Sequence, residues 1–188
     1  MARDSRYVFI ADALVRWRDC YGGNRSAYYP VGVKGERMST FTELNLVLHI
    51  VFGLLGVMAI YSALVVLMKD KPSVGFLRFM SVSGLVFVVL SWITGAYYYT
   101  TYYGSAVKPI IKAGKFPWAH GLMMEAKEHT FLLLPFLAAV LVLVVLLGNT
   151  SLLGDPRVRR PLAALAGVAF TLGAIIALSG VVVSGAVR

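Results

Sequence analysis

The stretch LNLVLHIVFGLLGVMAIYSALVVLM, residues 44 to 68, decides the fold. It contains no Asp, Glu, Lys or Arg. At about 1.5 Å rise per residue it is long enough, as a helix, to cross the roughly 30 Å hydrocarbon core of a bilayer. Three further apolar runs follow, at about Phe76 to Tyr97, Thr130 to Gly148 and Leu162 to Val187. Backbone polar groups in lipid must be bonded within their own segment, which makes such runs helical. The expected architecture is therefore all-α and integral to a membrane, a four-transmembrane-helix bundle running up-down-up-down.

Composition agrees with that reading. Of 188 residues, 59% are hydrophobic and 14% charged, well on the apolar side of ordinary soluble domains. The net charge of +9 would suggest nucleic acid in a soluble protein, but the lysines and arginines flank the apolar runs. Membrane topology accounts for them, and no nucleic-acid partner is expected. Cys20 is the single cysteine, so no internal disulfide forms, and no Cys-x-x-Cys-His signature for covalent haem attachment is present. The apolar stretch Tyr7 to Val15 is broken by Asp12 and lacks a small-residue cleavage pattern, so the first span is expected to direct insertion. The expected location is the cytoplasmic membrane of a prokaryote.

Two regions are expected, a basic N-terminal segment over 1–40 and a membrane domain over 41–188. The segment admits two readings: an amphipathic element lying on the bilayer through Tyr7, Val8, Phe9, Ile10, Ala13 and Leu14, or a misassigned start ahead of Met38. Orientation turns on this choice. Lys69, Lys71, Arg78, Arg157, Arg159 and Arg160 mark one side, and Lys108, Lys112, Lys115, Lys127 and Arg188 the other. The basic residues of the N-terminal segment would add to the second group.

The links Lys69 to Pro72 and Asp155 to Pro161 are short and lie on one side. The link from Tyr98 to about Glu128 contains Pro109, Gly114 and Pro117 and is expected to fold over the opposite face. Tyr97, Tyr98, Tyr99, Tyr102 and Tyr103 before it read as an interfacial belt. The fourth span, with Gly167, Thr171, Gly173, Ala174, Ala177 and Gly180, reads as a packing helix with a face for a partner subunit.

All three histidines fall toward the long-link side. His49 stands roughly 7 Å inside the first apolar run, where an ionisable group usually faces the bundle interior. Asn45, Phe52, Gly53 and Gly56 share its helical face, and the two glycines leave room either for a flat macrocycle or for a neighbouring helix. His129 opens the third span. Glu125, four residues earlier, is placed to orient its ring, while Glu128 suits the positive end of the helix dipole. His120 is the weaker candidate, because nine helical steps put it on the face opposite His129.

His49 and His129 lie on helices that are diagonal in a sequentially wound bundle. In this pairing the chain resembles the b-type membrane cytochromes, four-helix bundles that hold haem between histidines on non-adjacent helices. The resemblance covers about residues 41 to 187 and rests on those two residues. It implies one haem b with His49 and His129 as axial ligands, Gly53 and Gly56 beside the macrocycle and Glu125 behind His129. It also implies electron transfer, with a quinone or a redox protein as partner. Two alternatives stand beside it. One is a non-haem iron, zinc or copper site on His49 and His129, with His120 and Glu128 as weaker ligands. The other is a noncatalytic subunit or assembly factor of a membrane complex whose histidines make structural hydrogen bonds. A protein nucleophile is not expected, and no chain of buried carboxylates suggests a transporter.

Overall fold

The computed structural model describes residues 38 to 187. The two readings of the basic N-terminal segment, the lone Cys20 and the charge of Arg188 lie outside the described residues. All described elements are helical: α1 (Thr40–Leu67), α2 (Val74–Tyr98), the π-helical π1 (Tyr99–Val107), α3 (Lys108–Ala113), π2 (Ala119–Met124, also π-helical), α4 (Glu125–Thr130), α5 (Leu133–Leu147), α6 (Thr150–Gly154) and α7 (Pro156–Gly185). They join into four stretches long and apolar enough to cross a membrane: Thr40–Leu67, Val74–Ala113, Ala119–Leu147 and Pro156–Gly185.

Local chemistry sets the helix limits. Ser39 caps α1, its Oγ accepting the Thr42 N–H at 3.2 Å. Asp155 caps α7 by accepting the Arg157 N–H at 2.8 Å, and Pro156 follows in the first turn, where its missing N–H breaks no helical bond. Pro135 cannot donate to the carbonyl of Phe131 and its ring crowds that carbonyl. The helix is accordingly interrupted at Phe131 and Leu132, between α4 and α5.

The packing begins at a glycine seam between α1 and α2. A Cβ on Gly56 would stand 2.9 Å from Val88 Cγ2 and 3.1 Å from the Val88 backbone nitrogen. A Cβ on Gly84 would meet Ile60 Cγ1 at 3.0 Å, and one on Gly53 would meet Ser91 Oγ at 3.1 Å. α7 closes on α1 in the same way, with Val57 Cγ2 2.8 Å from the Cβ position of Gly173. Of the small residues expected to line a packing face, Gly173 is buried at this contact, Gly167, Ala174 and Gly180 are half-buried, and Thr171 and Ala177 are exposed. α1 packs against α2 and α7, and α5 packs against the same two, whereas α1 and α5 are not a closely packed pair.

Arginines tie the two short links together. Arg78 donates from Nη2 to Gly148 O at 2.8 Å and from Nε to Val145 O at 3.3 Å, satisfying carbonyls that α5 leaves open at its C-terminus. Arg159 donates to Asp70 O at 2.6 Å and lies 3.5 Å from the Asp70 carboxylate. A core of Leu67, Leu77, Leu141, Val145 and Leu153 fills this end, and Ile60, Val88, Leu134, Ala138 and Ala169 fill the middle.

The long link differs from the expected loop. Helix two continues through π1 and α3 to Ala113, and helix three begins again at Ala119, leaving a short turn around Gly114 to Pro117. Pro109 stands where the backbone passes from π to α geometry, and the helix continues through it to Ala113. Tyr103, Val107, Ile111, Ala119 and Val183 pack into a third core at this end, which holds the hairpin against α7.

The seam predicts a contrast between two glycines. Alanine improves an exposed helix position by about 1 kcal/mol over glycine, and a Cβ on Gly75 would meet nothing within 4 Å. Gly75→Ala should therefore hold or raise the melting temperature in detergent. Gly56→Ala should lower stability by about 1–3 kcal/mol, because the seam must open against backbone. Equal melting of the two variants would show that the seam does not limit stability.

Candidate functional site

The hairpin core contains the most deeply buried polar groups of the chain's histidine end. Tyr103 is 2% exposed and His120 1%, and Tyr103 Oη lies 3.0 Å from His120 Nδ1. Tyr99 stacks on Tyr103, with ring centroids 5.3 Å apart and planes 23° from parallel. Ser179 of α7, whose hydroxyl donates to Ile175 O, sets its Oγ 3.9 Å from the sulfur of Met123, and Lys127 lays its Nζ 3.5 Å from the Cβ position of Gly180. The cluster therefore joins the hairpin to the end of α7. Two polar atoms of the hairpin are buried without a hydrogen-bond partner among the described residues, His120 Nε2 and Glu128 Oε1.

His120 and Glu128 stand eight residues apart, about two turns and roughly 11–12 Å along the helix. Eight α-helical steps of 100° would leave about 80° between their side chains. A π-helix closes on the fifth residue and turns less per residue, and π2 covers Ala119–Met124, half of the interval. The difference brings the two side chains closer to one face. It also separates them from His129, which is exposed one residue later.

The other expected site residues lie elsewhere. His49 turns onto α2: its Nδ1 is 2.8 Å from Ser91 O and 3.1 Å from Ser91 Oγ, and Ser91 Oγ donates to His49 O at 2.9 Å. A carbonyl only accepts, so Nδ1 carries the proton. The ring fits because residue 95 is glycine, whose Cβ would stand 2.5 Å from Nδ1. The room beside Gly53 and Gly56 is filled by Ser91 and Val88 of α2. His129 is exposed and its Nδ1–H donates to the backbone carbonyl of Glu125 at 2.7 Å, so the Glu125 carboxylate, also exposed, does not orient it. The structure thus buries His120 against Tyr103 and leaves His49 and His129 in different surroundings. Among the described residues no group of three or more His, Cys, Asp or Glu is placed to hold a metal ion.

Sequence reasoning gave His120 the lowest rank for two reasons. It took the link for a loop, and it counted an α-helical period through a π-helical segment. A signal was present: Tyr99, Tyr103, Val107 and Ile111 recur every four residues, the row of a helix that continues past Tyr98. The tyrosines also divide. Tyr97 is 37% exposed, as suits a belt, while Tyr103 belongs to the core.

None of the protein-family models, curated proteins or solved structures compared with this chain matches it.

Tyr103→Phe removes the sole hydrogen-bond partner of His120 Nδ1 while keeping the ring. Leaving a buried polar atom unpaired costs about 1–3 kcal/mol. The variant should lose that much stability and exchange backbone amides of residues 99–124 faster than wild type, as measured by hydrogen–deuterium exchange. Unchanged exchange there would place the strength of the hairpin in apolar packing alone.

Proposed function

We propose that the chain is a noncatalytic integral-membrane subunit, or assembly element, of a membrane complex, with its four helices crossing up-down-up-down. The outer surface supports a lipid setting: Phe136 and Val181 are each 69% exposed and Leu178 66%. Removing such side chains from water is worth about 1.5–3 kcal/mol each. The observation that carries the subunit reading is the placement of His49. Its Nδ1–H and the Ser91 hydroxyl bond across the α1–α2 seam, and the neighbouring glycines admit α2 itself. This is a histidine acting as a polar stitch between helices, a use that Ser, Thr, Asn, Gln and His share in membrane bundles. The hairpin turn offers a surface for a partner, with Lys112, Lys115, Phe116 and Trp118 all exposed.

One observation favours electron transfer through a haem b as a second reading. On both His49 and His129, Nδ1–H is bonded to a backbone carbonyl, and this leaves Nε2 as a lone-pair donor. Ligating imidazoles are commonly held in that way. Against it, His129 faces outward while His49 faces α2.

Absorption spectra of detergent-purified chain expressed with added haem, oxidised and then dithionite-reduced, separate the two. The subunit reading expects no Soret band, and a stability loss of about 1–3 kcal/mol in His49→Ala from the unpaired Ser91 groups. A reducible Soret band that disappears in His49→Ala and in His129→Ala would replace it with the haem reading.

A further inference from the structure

The turn between helices two and three stands beside the end of α7, and an open groove of about 200 Å³ lies between them. Phe116, Trp118 and Ala119 line one wall, and Val182, Gly185 and Ala186 the other. The Phe116 and Trp118 rings meet edge to face, with centroids 6.4 Å apart and planes at 78°, an arrangement that aromatic pairs favour. Small-molecule sites usually enclose roughly 300–1,000 Å³, so this groove is too small to enclose a cofactor. We propose that it binds an anionic phospholipid, with the phosphate on Lys115 and Lys112 and an acyl chain lying along α7. The proposal rests on the membrane placement of the four helices and not on the subunit role.

Three observations favour that occupant. The first is depth. α7 has 30 residues. At 1.5 Å per residue that is about 45 Å, which matches a bilayer with its headgroup layers, about 40–45 Å. With Arg157, Arg159 and Arg160 in one headgroup layer, Gly185 and the groove fall in the other. The half-exposed Trp118 suits that layer, where tryptophan collects.

The second is continuity with the outer surface of the bundle. Thr171, Ile175, Leu178, Val182 and Gly185 recur every three or four residues, the spacing of one helix face, and all five are exposed. The groove is the end of this stripe, because Val182 and Gly185 belong to both. An acyl chain laid along the stripe therefore runs without interruption from the groove toward the middle of the bilayer.

The third is charge. From Lys71 to Met124 the chain has no acidic residue, and the hairpin carries Lys108, Lys112 and Lys115. Lys115 directly precedes Phe116, so its Cα is about 3.8 Å from that of a residue lining the groove. Lys112 stands three residues earlier, and both lysines are exposed. Their stems can lie on apolar surface while the ammonium groups reach phosphate oxygens. Basic pockets between membrane helices take anionic headgroups in this way. A second copy of the chain sits in the membrane in the same orientation, so docking through this face would set its lysines against these.

The test uses the full chain, extracted from membranes in mild detergent, delipidated, and titrated with phosphatidylglycerol or with phosphatidylcholine of the same acyl chains. Native mass spectrometry counts the bound lipid, and the melting temperature is followed beside it. One phosphatidylglycerol should bind at least about tenfold tighter than phosphatidylcholine and raise the melting temperature. Lys112→Gln combined with Lys115→Gln should abolish that preference. Lys69→Gln combined with Lys71→Gln, a change of two exposed lysines at the other end, should leave it intact. Gly185→Leu should weaken both lipids by about tenfold, the effect of leaving two methylenes unburied. A Cβ at Gly185 meets nothing within 4 Å, so the variant should fold as wild type. Inorganic phosphate should not compete. The proposal is overturned if chain from the membrane fraction binds the two lipids equally, if the Lys112 and Lys115 variant keeps the preference, or if the Lys69 and Lys71 variant loses it. It is overturned too if inorganic phosphate displaces the lipid, or if Gly185→Leu separates a dimer without changing lipid binding, which gives the groove to a second copy. Chain recovered in the soluble fraction without detergent would overturn the membrane reading itself.

Discussion

The close approach of α1 and α2 at Gly53, Gly56 and Gly84 governs the rest of the bundle. With no Cβ at these positions, one helix sets side chains against the backbone of the other: Val88 over Gly56, Ile60 over Gly84. Dispersion between such surfaces falls off steeply with distance, so the seam has one favourable register. That register brings His49 opposite Ser91 and Gly95, where its ring both fills the glycine's space and bonds the Ser91 carbonyl. The chemistry of His49 is therefore a consequence of helix packing. α7 repeats the device at Gly173, which fixes α1 between two neighbours.

The two ends of the bundle are built on different principles. At the short-link end side chains satisfy the backbone: Arg78 satisfies the last carbonyls of α5, Arg159 binds Asp70, and Asn149 and Asp155 cap α6 and α7. At the hairpin end the helices overrun the expected spans, change from α to π geometry, and enclose Tyr103 and His120 in an apolar core. Buried polar atoms left without partners there cost about 1–3 kcal/mol each. The cores of Val107, Ile111, Ala119 and Val183 supply the compensating burial.

The four helices were legible because lipid-length apolar runs carry the strongest pattern a sequence contains, and residues 44 to 68 show it without a single charge. The glycines of α1 were legible as an alternative, since Gly53 and Gly56 fit a neighbouring helix as well as a cofactor. The sequence could not decide between them because the answer lies in α2, at Ser91 and Val88. The hairpin was not legible as drawn. Pro109 and Gly114 look alike as breakers, yet the helix continues through Pro109 and ends at Gly114. Helical periodicity failed over residues 119 to 124, where the period is not 3.6, and with it the angle counted between His120 and His129.

A histidine's position along a membrane helix is thus a poor guide to its chemistry unless its second nitrogen is considered. His49, His120 and His129 all have Nδ1 engaged, with Ser91, Tyr103 and the Glu125 carbonyl respectively. They differ in what surrounds Nε2. For His129 it is the exterior, where water or headgroups can satisfy it without any ligand. For His120 it is the interior of the hairpin, where the atom has no hydrogen-bond partner among the described residues. Leaving a buried polar atom so costs about 1–3 kcal/mol. Because the Tyr103 hydroxyl can either donate to Nδ1 or accept from it, the same ring can present Nε2 to its surroundings as an acceptor or as a donor.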